Sequence, residues 1–356
     1  MTRLSSLLSV LIPGLLAGCD GSVPLGRLEE PPQLSLELLT VRPLLPRPWG
    51  LALSPNGRHL VVSDFSDGWI YVLDAETYQP LGDTLVAGEP RGIVIDPRTG
   101  IDTVLVAGER PGLTIWSLTT EGLLALIPPF DREWTSFIVR SPTTGEIYAT
   151  LILSDEGRVV GRLSNDGTLL ASYPLQASGR AGLAVTESGE QLLALEDMAR
   201  PTRLLVLDAH DLALLVAIEV PSWANQVVPL DDVPRALIVG GEVGEPVAAV
   251  VDWEQGRVDG VQRLGRNSNR ASFDLGRGNT WVRIDARTAL VGTTHGILAV
   301  NTPTGAVANV AGDYDDGTFV NECCSMVWDA IRRRLLVASS IAPSDEAGRL
   351  EVYSVD

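Results

Sequence analysis

The sequence predicts an all-β chain folded as a seven-bladed β-propeller with four-stranded blades, closed by pairing an N-terminal strand with the C-terminal blade. Three observations predict it. Short apolar runs broken by turn residues continue to Asp356, and long amphipathic helical patterns are missing. The runs also recur as a unit. Aligned on Gly50, Gly92, Ser136, Gly182, Asn225, Trp281 and Ser325, successive copies lie 42, 44, 46, 43, 56 and 44 residues apart. A period of roughly 40–45 residues holding four strands is that of a propeller blade. Finally, a lone strand, Leu34 to Val41, precedes the first unit, and the last unit stops after its third strand, Leu350 to Val355. One spare strand and one missing strand complete a seventh blade and remove two open edges.

Ahead of the repeats, Met1-Thr2-Arg3 is a short positive start and Leu4 to Leu16 is mostly apolar. Leu16-Ala17-Gly18-Cys19 then ends the segment. This is the shape of a secretory signal, and its end resembles a bacterial lipobox. The resemblance implies cleavage before Cys19 and diacylglycerol on its sulfur. Pro13 and Gly14 interrupt an apolar run already short of the roughly 20 residues that a spanning helix needs. Asp20 resembles the inner-membrane retention signal of enteric bacteria, and the choice of membrane stays open. Residues 19–32 read as the lipidated cysteine and a flexible tether, with Gly21, Gly26, Pro31 and Pro32. Residues 33–356 are the propeller.

The repeat is clearest from Pro48 to Asp64, where Leu51-Ala52-Leu53, a Ser54-Pro55-Asn56-Gly57 turn and Leu60-Val61-Val62 form two strands about a tight turn. Trp69 to Asp74 is the third strand, and the fourth runs through Leu85-Val86. Pro90 to Pro97 and Val104 to Ala107 repeat the start of the pattern, and weaker copies follow. Gly50 to Arg58, Leu60 to Asp64 and Val72-Leu73-Asp74, with Val206-Leu207-Asp208 as a partial copy, resemble the YVTN-repeat propellers, a family with lactonase-like and surface-layer-type members. The Tyr-Val-Thr-Asn tetrapeptide itself is absent. The resemblance implies the fold and says little about activity, because one propeller scaffold carries many functions.

Composition narrows the function classes. Formal net charge is −18, which opposes binding to nucleic acid or to anionic lipid surfaces. Membrane attachment therefore falls to the acyl chains on Cys19. All 27 basic residues are arginine, so a lysine Schiff base, a lysine general base and a P-loop lysine are excluded. After Cys19, the remaining cysteines are Cys323 and Cys324. In an exported compartment they either form a vicinal disulfide or remain free thiols. The bridge is strained, since neighbouring Cα atoms lie about 3.8 Å apart and disulfides usually start near roughly 4.4 Å.

Blade register places Trp49, Arg91, Trp134, Arg180, Trp223, Asn279, Thr280, Cys323 and Cys324 around one mouth of the channel, where inter-blade loops open. Arginine offers bidentate donors and indole a flat apolar face, so this ring suits an anionic or sugar-like ligand. The same tryptophans can instead seal the seams between blades. The 56-residue interval adds about a dozen residues around Arg266 and Arg270. Between Arg257 and Arg287 seven arginines face three aspartates, a local reversal of charge able to steer an acidic partner. Asp313, Asp315 and Asp316 precede Gly317 as in calcium loops, but position 324 lacks the closing glutamate. Of the three histidines, His59 and His210 fall on the face away from the mouth, and His295 falls beside the arginine-rich segment as a candidate general base. Acidic spots at Asp64 to Asp67 and at Glu196-Asp197 are expected to be solvated edges.

The expectation from sequence is a lipid-anchored protein of the bacterial cell envelope, on its periplasmic or extracellular face, present as a monomer. It binds a protein partner or an anionic ligand at the channel mouth, requires no cofactor unless calcium occupies the aspartate loop, and binds no nucleic acid. Two alternatives are a lactonase-like or metal-assisted hydrolase using His295, and a redox-sensitive binder using Cys323 and Cys324.

Overall fold

The computed structural model describes residues 32–43, 48–66, 68–85, 89–96, 102–108, 112–122, 124–127, 134–153, 157–164, 166–176, 181–196, 202–220, 224–230, 233–242, 245–264, 280–293, 296–312, 322–340 and 348–356. Twenty-eight strands among the described residues form seven antiparallel sheets of four, each sheet one blade. No helix among them is long and apolar enough to cross a membrane.

Blade 1 comprises Pro48–Leu53, His59–Asp64, Trp69–Asp74 and Pro80–Leu85 in that order. Blades 2 to 6 begin with Pro90–Asp96, Trp134–Arg140, Ala181–Val185, Ala224–Leu230 and Trp281–Arg283. Each of the seven aligned positions from the sequence lies on the first strand of its own blade. Blade 7 takes Glu322–Asp329, Arg334–Ser340 and Arg349–Val355 from the C-terminal end and Leu36–Pro43 from the N-terminal end. The ladder runs from Leu36 opposite Val355 to Pro43 opposite Arg349. Ser35 and Asp356 exchange two further backbone hydrogen bonds of 3.2 Å.

The core is divided among the seams. Seven apolar clusters each join two neighbouring blades; Val61, Ile70, Ile95, Val104 and Trp116, for instance, fill the seam between blades 1 and 2. Leu60, Val62, Leu336 and Val352 fill the one between blades 1 and 7. Both faces of a blade are therefore covered, and His59–Asp64 is buried along its whole length. That is why these strands read as unbroken apolar runs instead of alternating ones. Outer strands such as Leu214–Glu219 are largely exposed.

Turn chemistry repeats with the blades. Ser54 Oγ accepts from His59 N at 2.9 Å, and Gly57 adopts a left-handed φ of 67° to close the turn. Thr186 plays the same part in blade 4, accepting from Gln191 N, while Ser141 of blade 3 accepts from Thr144 N inside its turn. At the other turn of this face, Asp74, Asp208 and Asp252 end their third strands and accept from the backbone amides of Thr77, His210 and Gln255 at 2.7, 2.7 and 2.9 Å. A short side-chain acceptor at a strand end satisfies amides that the ladder can no longer reach.

Candidate binding site

The propeller axis has two openings, and the structure distinguishes them. At the mouth indicated by the sequence, Trp49 and Arg91 do come together. The Arg91 guanidinium carbon lies 4.9 Å from the Trp49 ring centre and 5.2 Å from that of Phe65, and the two rings are 4.6 Å apart. Glu89 Oε2 approaches Arg91 Nη2 at 3.9 Å. A bulge positions the group: the first strand carries an extra residue between Pro48 and Gly50, and again between Pro90 and Ile93. Bulges re-aim side chains, and here they turn Trp49 and Arg91 into the seam between blades 1 and 2. Both are 3 % exposed. Gly50 makes room for the contact, because a Cβ there would lie 2.3 Å from the Arg91 carbonyl oxygen.

Other residues of the predicted ring fare differently. The corresponding bulge in blade 3 falls between Thr135 and Ile138, so Trp134, paired with Ile152, sits ahead of it. In blade 7 the bulge falls at Cys324, between Cys323 and Ser325. The side chains of Trp134, Cys323 and Cys324 lie outside the described residues, as do Cys19, Arg180, Trp223, Arg266, Arg270, Asn279, His295, Asp313, Asp315 and Asp316 altogether. Thr280 is described and fully buried.

The expectation of solvated acids at this face is corrected for Asp64 and Glu196, and Asp67 and Asp197 lie outside the described residues. Asp64 is fully buried and accepts from Ser66 N at 2.9 Å, and Glu196 is buried and ion-paired with Arg203, whose Nε donates at 2.8 Å. Each ends a second strand beside a seam, where neighbouring donors replace water.

The opposite opening, on the face of the first and third turns, is a cavity of about 290 Å³. It is walled by Val139, Ala184, Val185, Pro229, Trp281 and Val282, with Arg140, Glu187 and Arg283 among its polar groups. These residues come from blades 3, 4, 5 and 6, so the cavity lies on the propeller axis. Arg140 ends its strand and lies 3.5 Å from the fully buried Asp96 of blade 2. Glu187 stands on the first turn of blade 4, where its carbonyl accepts from the Thr143 hydroxyl. Its carboxylate reaches past blade 5 to Arg283 Nη1 at 2.5 Å. An adjoining groove of about 450 Å³ shares Glu187 and Pro229 and runs outward to Trp253 and Glu254.

Sequence reasoning missed Arg140, Glu187 and Arg283 as a group. Arg140 and Arg283 stand at the ends of first strands and Glu187 lies two residues past the end of one, so register could have found them at this opening. Among the described residues no cluster of His, Cys, Asp or Glu is arranged to hold a metal ion.

No family model and no curated protein sequence matches the chain. Solved structures do. Hydrazine synthase of Kuenenia stuttgartiensis aligns with a TM-score of 0.65 at 14 % identity, over 86 % of this chain and 95 % of that one. The Dos1 propeller aligns with a TM-score of 0.59 at 11 % identity, over 86 % of this chain and 77 % of that one. At such identities the likeness shows the seven-bladed propeller fold alone.

Proposed function

We propose that this protein is a lipid-anchored, extracytoplasmic binding module, and that its ligand or partner docks at the channel opening formed by blades 3 to 6. One observation carries the reading: a concave, mostly apolar cavity on the axis, close in size to small-ligand sites, with arginine and glutamate side chains at its edge. The first eighteen residues and Cys19 support the lipid anchor, and residues 19–32 supply its tether. Membership among the YVTN-repeat propellers belongs to the same proposal. It is supported by Val72-Leu73-Asp74 and Val206-Leu207-Asp208, which end third strands with the same aspartate turn.

The sequence centres the other mouth on Arg266 and Arg270 with Trp49, Arg91 and Trp223; Trp49 and Arg91 are packed into a seam, and Arg266, Arg270 and Trp223 lie outside the described residues. The hydrolase and redox alternatives rest on His295 and on the side chains of Cys323 and Cys324, outside the described residues.

A thermal-shift screen of the purified protein tests the reading, using carboxylates, sugars, lactones, calcium and short peptides. A ligand of the folded state raises Tm with the logarithm of its excess over Kd. Pro142 lines the cavity from an exposed turn, so Pro142→Trp obstructs the opening without touching the core. The expected result is a shift in the parent protein that disappears in Pro142→Trp. A ligand whose shift survives the substitution binds elsewhere and overturns the assignment of the site. Metabolic labelling with palmitate, lost in Cys19→Ser, tests the anchor separately.

A further inference from the structure

We infer that the channel opening is a seat for a small molecule with an apolar body and one carboxylate, and that Glu187 holds the carboxylate's place at Arg283 in the empty protein. The inference rests on the binding reading above and names its ligand.

The arrangement of Glu187 carries it. Its side chain is 61 % exposed, and its carboxylate meets an arginine of another blade. It crosses from blade 4 to blade 6 and puts its carboxylate on Arg283, at the edge of an apolar cavity. The molecule thereby shows that this position accepts a carboxylate. The seat is also exchangeable, because an ion pair with one partner this exposed contributes little to stability. A ligand carboxylate that replaces Glu187 exchanges one charge-assisted contact for an equivalent one. Net affinity then comes from the ligand's apolar body, which leaves water for a wall of Val139, Ala184, Val185, Trp281 and Val282.

The chemistry selects among ligands. Two arginines disfavour a cation. The apolar wall disfavours a sugar or a phosphate dianion, whose polar atoms would be stranded there. A cavity of about 290 Å³ takes an aryl or medium-chain aliphatic acid and excludes a long acyl chain. Arg140, on the far side of the cavity from Arg283 in chain order, remains paired with the buried Asp96 and shapes the rim.

Isothermal titration of the purified protein with 4-phenylbutyrate, octanoate and 4-phenylbutyramide tests the inference. Both acids are expected to bind, and the neutral amide at least tenfold more weakly than its acid. Glu187→Gln removes the internal competitor and tightens acid binding by about three- to fivefold, the range of an exposed ion pair. Arg283→Gln weakens it and abolishes the preference of acid over amide. Melting curves establish that both variants fold. Equal binding of acid and amide, unchanged affinity in Glu187→Gln, or no binding of either acid overturns the inference. If another ligand class raises Tm in the parent protein but not in Pro142→Trp, the channel site stands and only the carboxylate assignment falls. If a ligand's shift survives in Pro142→Trp, the site assignment falls as well.

Discussion

The two openings of the channel use similar side chains to opposite ends. At one, Trp49, Phe65 and Arg91 stack in a seam between blades 1 and 2, with Trp49 and Arg91 almost wholly buried. At the other, Trp281, Arg140 and Arg283 border an open cavity, and the nearest carboxylate stands mostly in solvent. Tryptophan beside arginine is therefore a packing unit in one place and a candidate ligand seat in the other. The difference lies in the backbone. A bulge turns Trp49 and Arg91 toward a neighbouring blade, whereas Arg140 and Arg283 stand at the far ends of their strands, Arg140 past its bulge, where the propeller opens. Residue type alone does not identify a binding site; the space beside it does.

That contrast can be broken by measurement. The largest effect belongs to the closed end: Trp49→Ala empties a fully packed seam and is expected to cost about 4 kcal/mol in chemical denaturation. Gly50→Ala forces its Cβ against the Arg91 carbonyl and is expected to cost about 3 kcal/mol. A loss under 1 kcal/mol in both would mean that the seam is not closed in solution, and the comparison would fail.

A middle-sized effect concerns His59, on the same face as the cavity but buried, with its Nδ1 unbonded. Desolvation pushes its pKa below the ordinary value of 6.5, against the carboxylates of Asp102 and Asp74 and together with Arg58. The unfolded chain then binds the proton more readily than the folded one. Its contribution is complete above about pH 6.5 and is lost as pH falls toward the lowered folded value. Asp102 is shifted upward by burial, so its effect opposes this trend only at more acidic pH. Unfolding free energy is expected to fall between pH 7.5 and 5.5, and His59→Gln to flatten the slope. An unchanged slope in the variant would show that this face is open at His59 too.

The smallest effect belongs to the open end. Arg283→Gln breaks a partly exposed ion pair and is expected to cost less than about 1 kcal/mol. A loss several times larger would make the Glu187–Arg283 contact a structural clamp instead of a seat.

The fold was legible because each blade repeats its own local instructions. Ser54 with Gly57 and Thr186 with Gly189 encode the same turn, Ser141 with Gly145 a version one residue wider, and Asp74 and Asp208 encode the next. Those signals act within a few residues, so a single chain reveals them. The site was legible only in part. Register placed Trp49 and Arg91 at one mouth and left open whether its tryptophans meet a ligand or seal a seam, because that choice depends on Phe65 and on where the bulge falls. Asp64 and Glu196 read as solvated edges because residue type and spacing do not show burial: their donors, Ser66 two residues on and Arg203 on the paired strand, are local, but the seam that excludes water from them forms only when blades pack.

Strand order, blade number and turn type follow from the amino-acid sequence by itself, because hydrogen-bonded turns and apolar runs are short-range properties that recur at a fixed interval. So do the acidic charge and the exclusion of lysine chemistry. The tertiary structure alone decided which arginines are packed and which border a cavity. Glu187 and Arg283 are 96 residues and two blades apart. Only closure of the propeller brings blades 4, 5 and 6 around the axis, and only then does a carboxylate on one turn find its guanidinium across the opening.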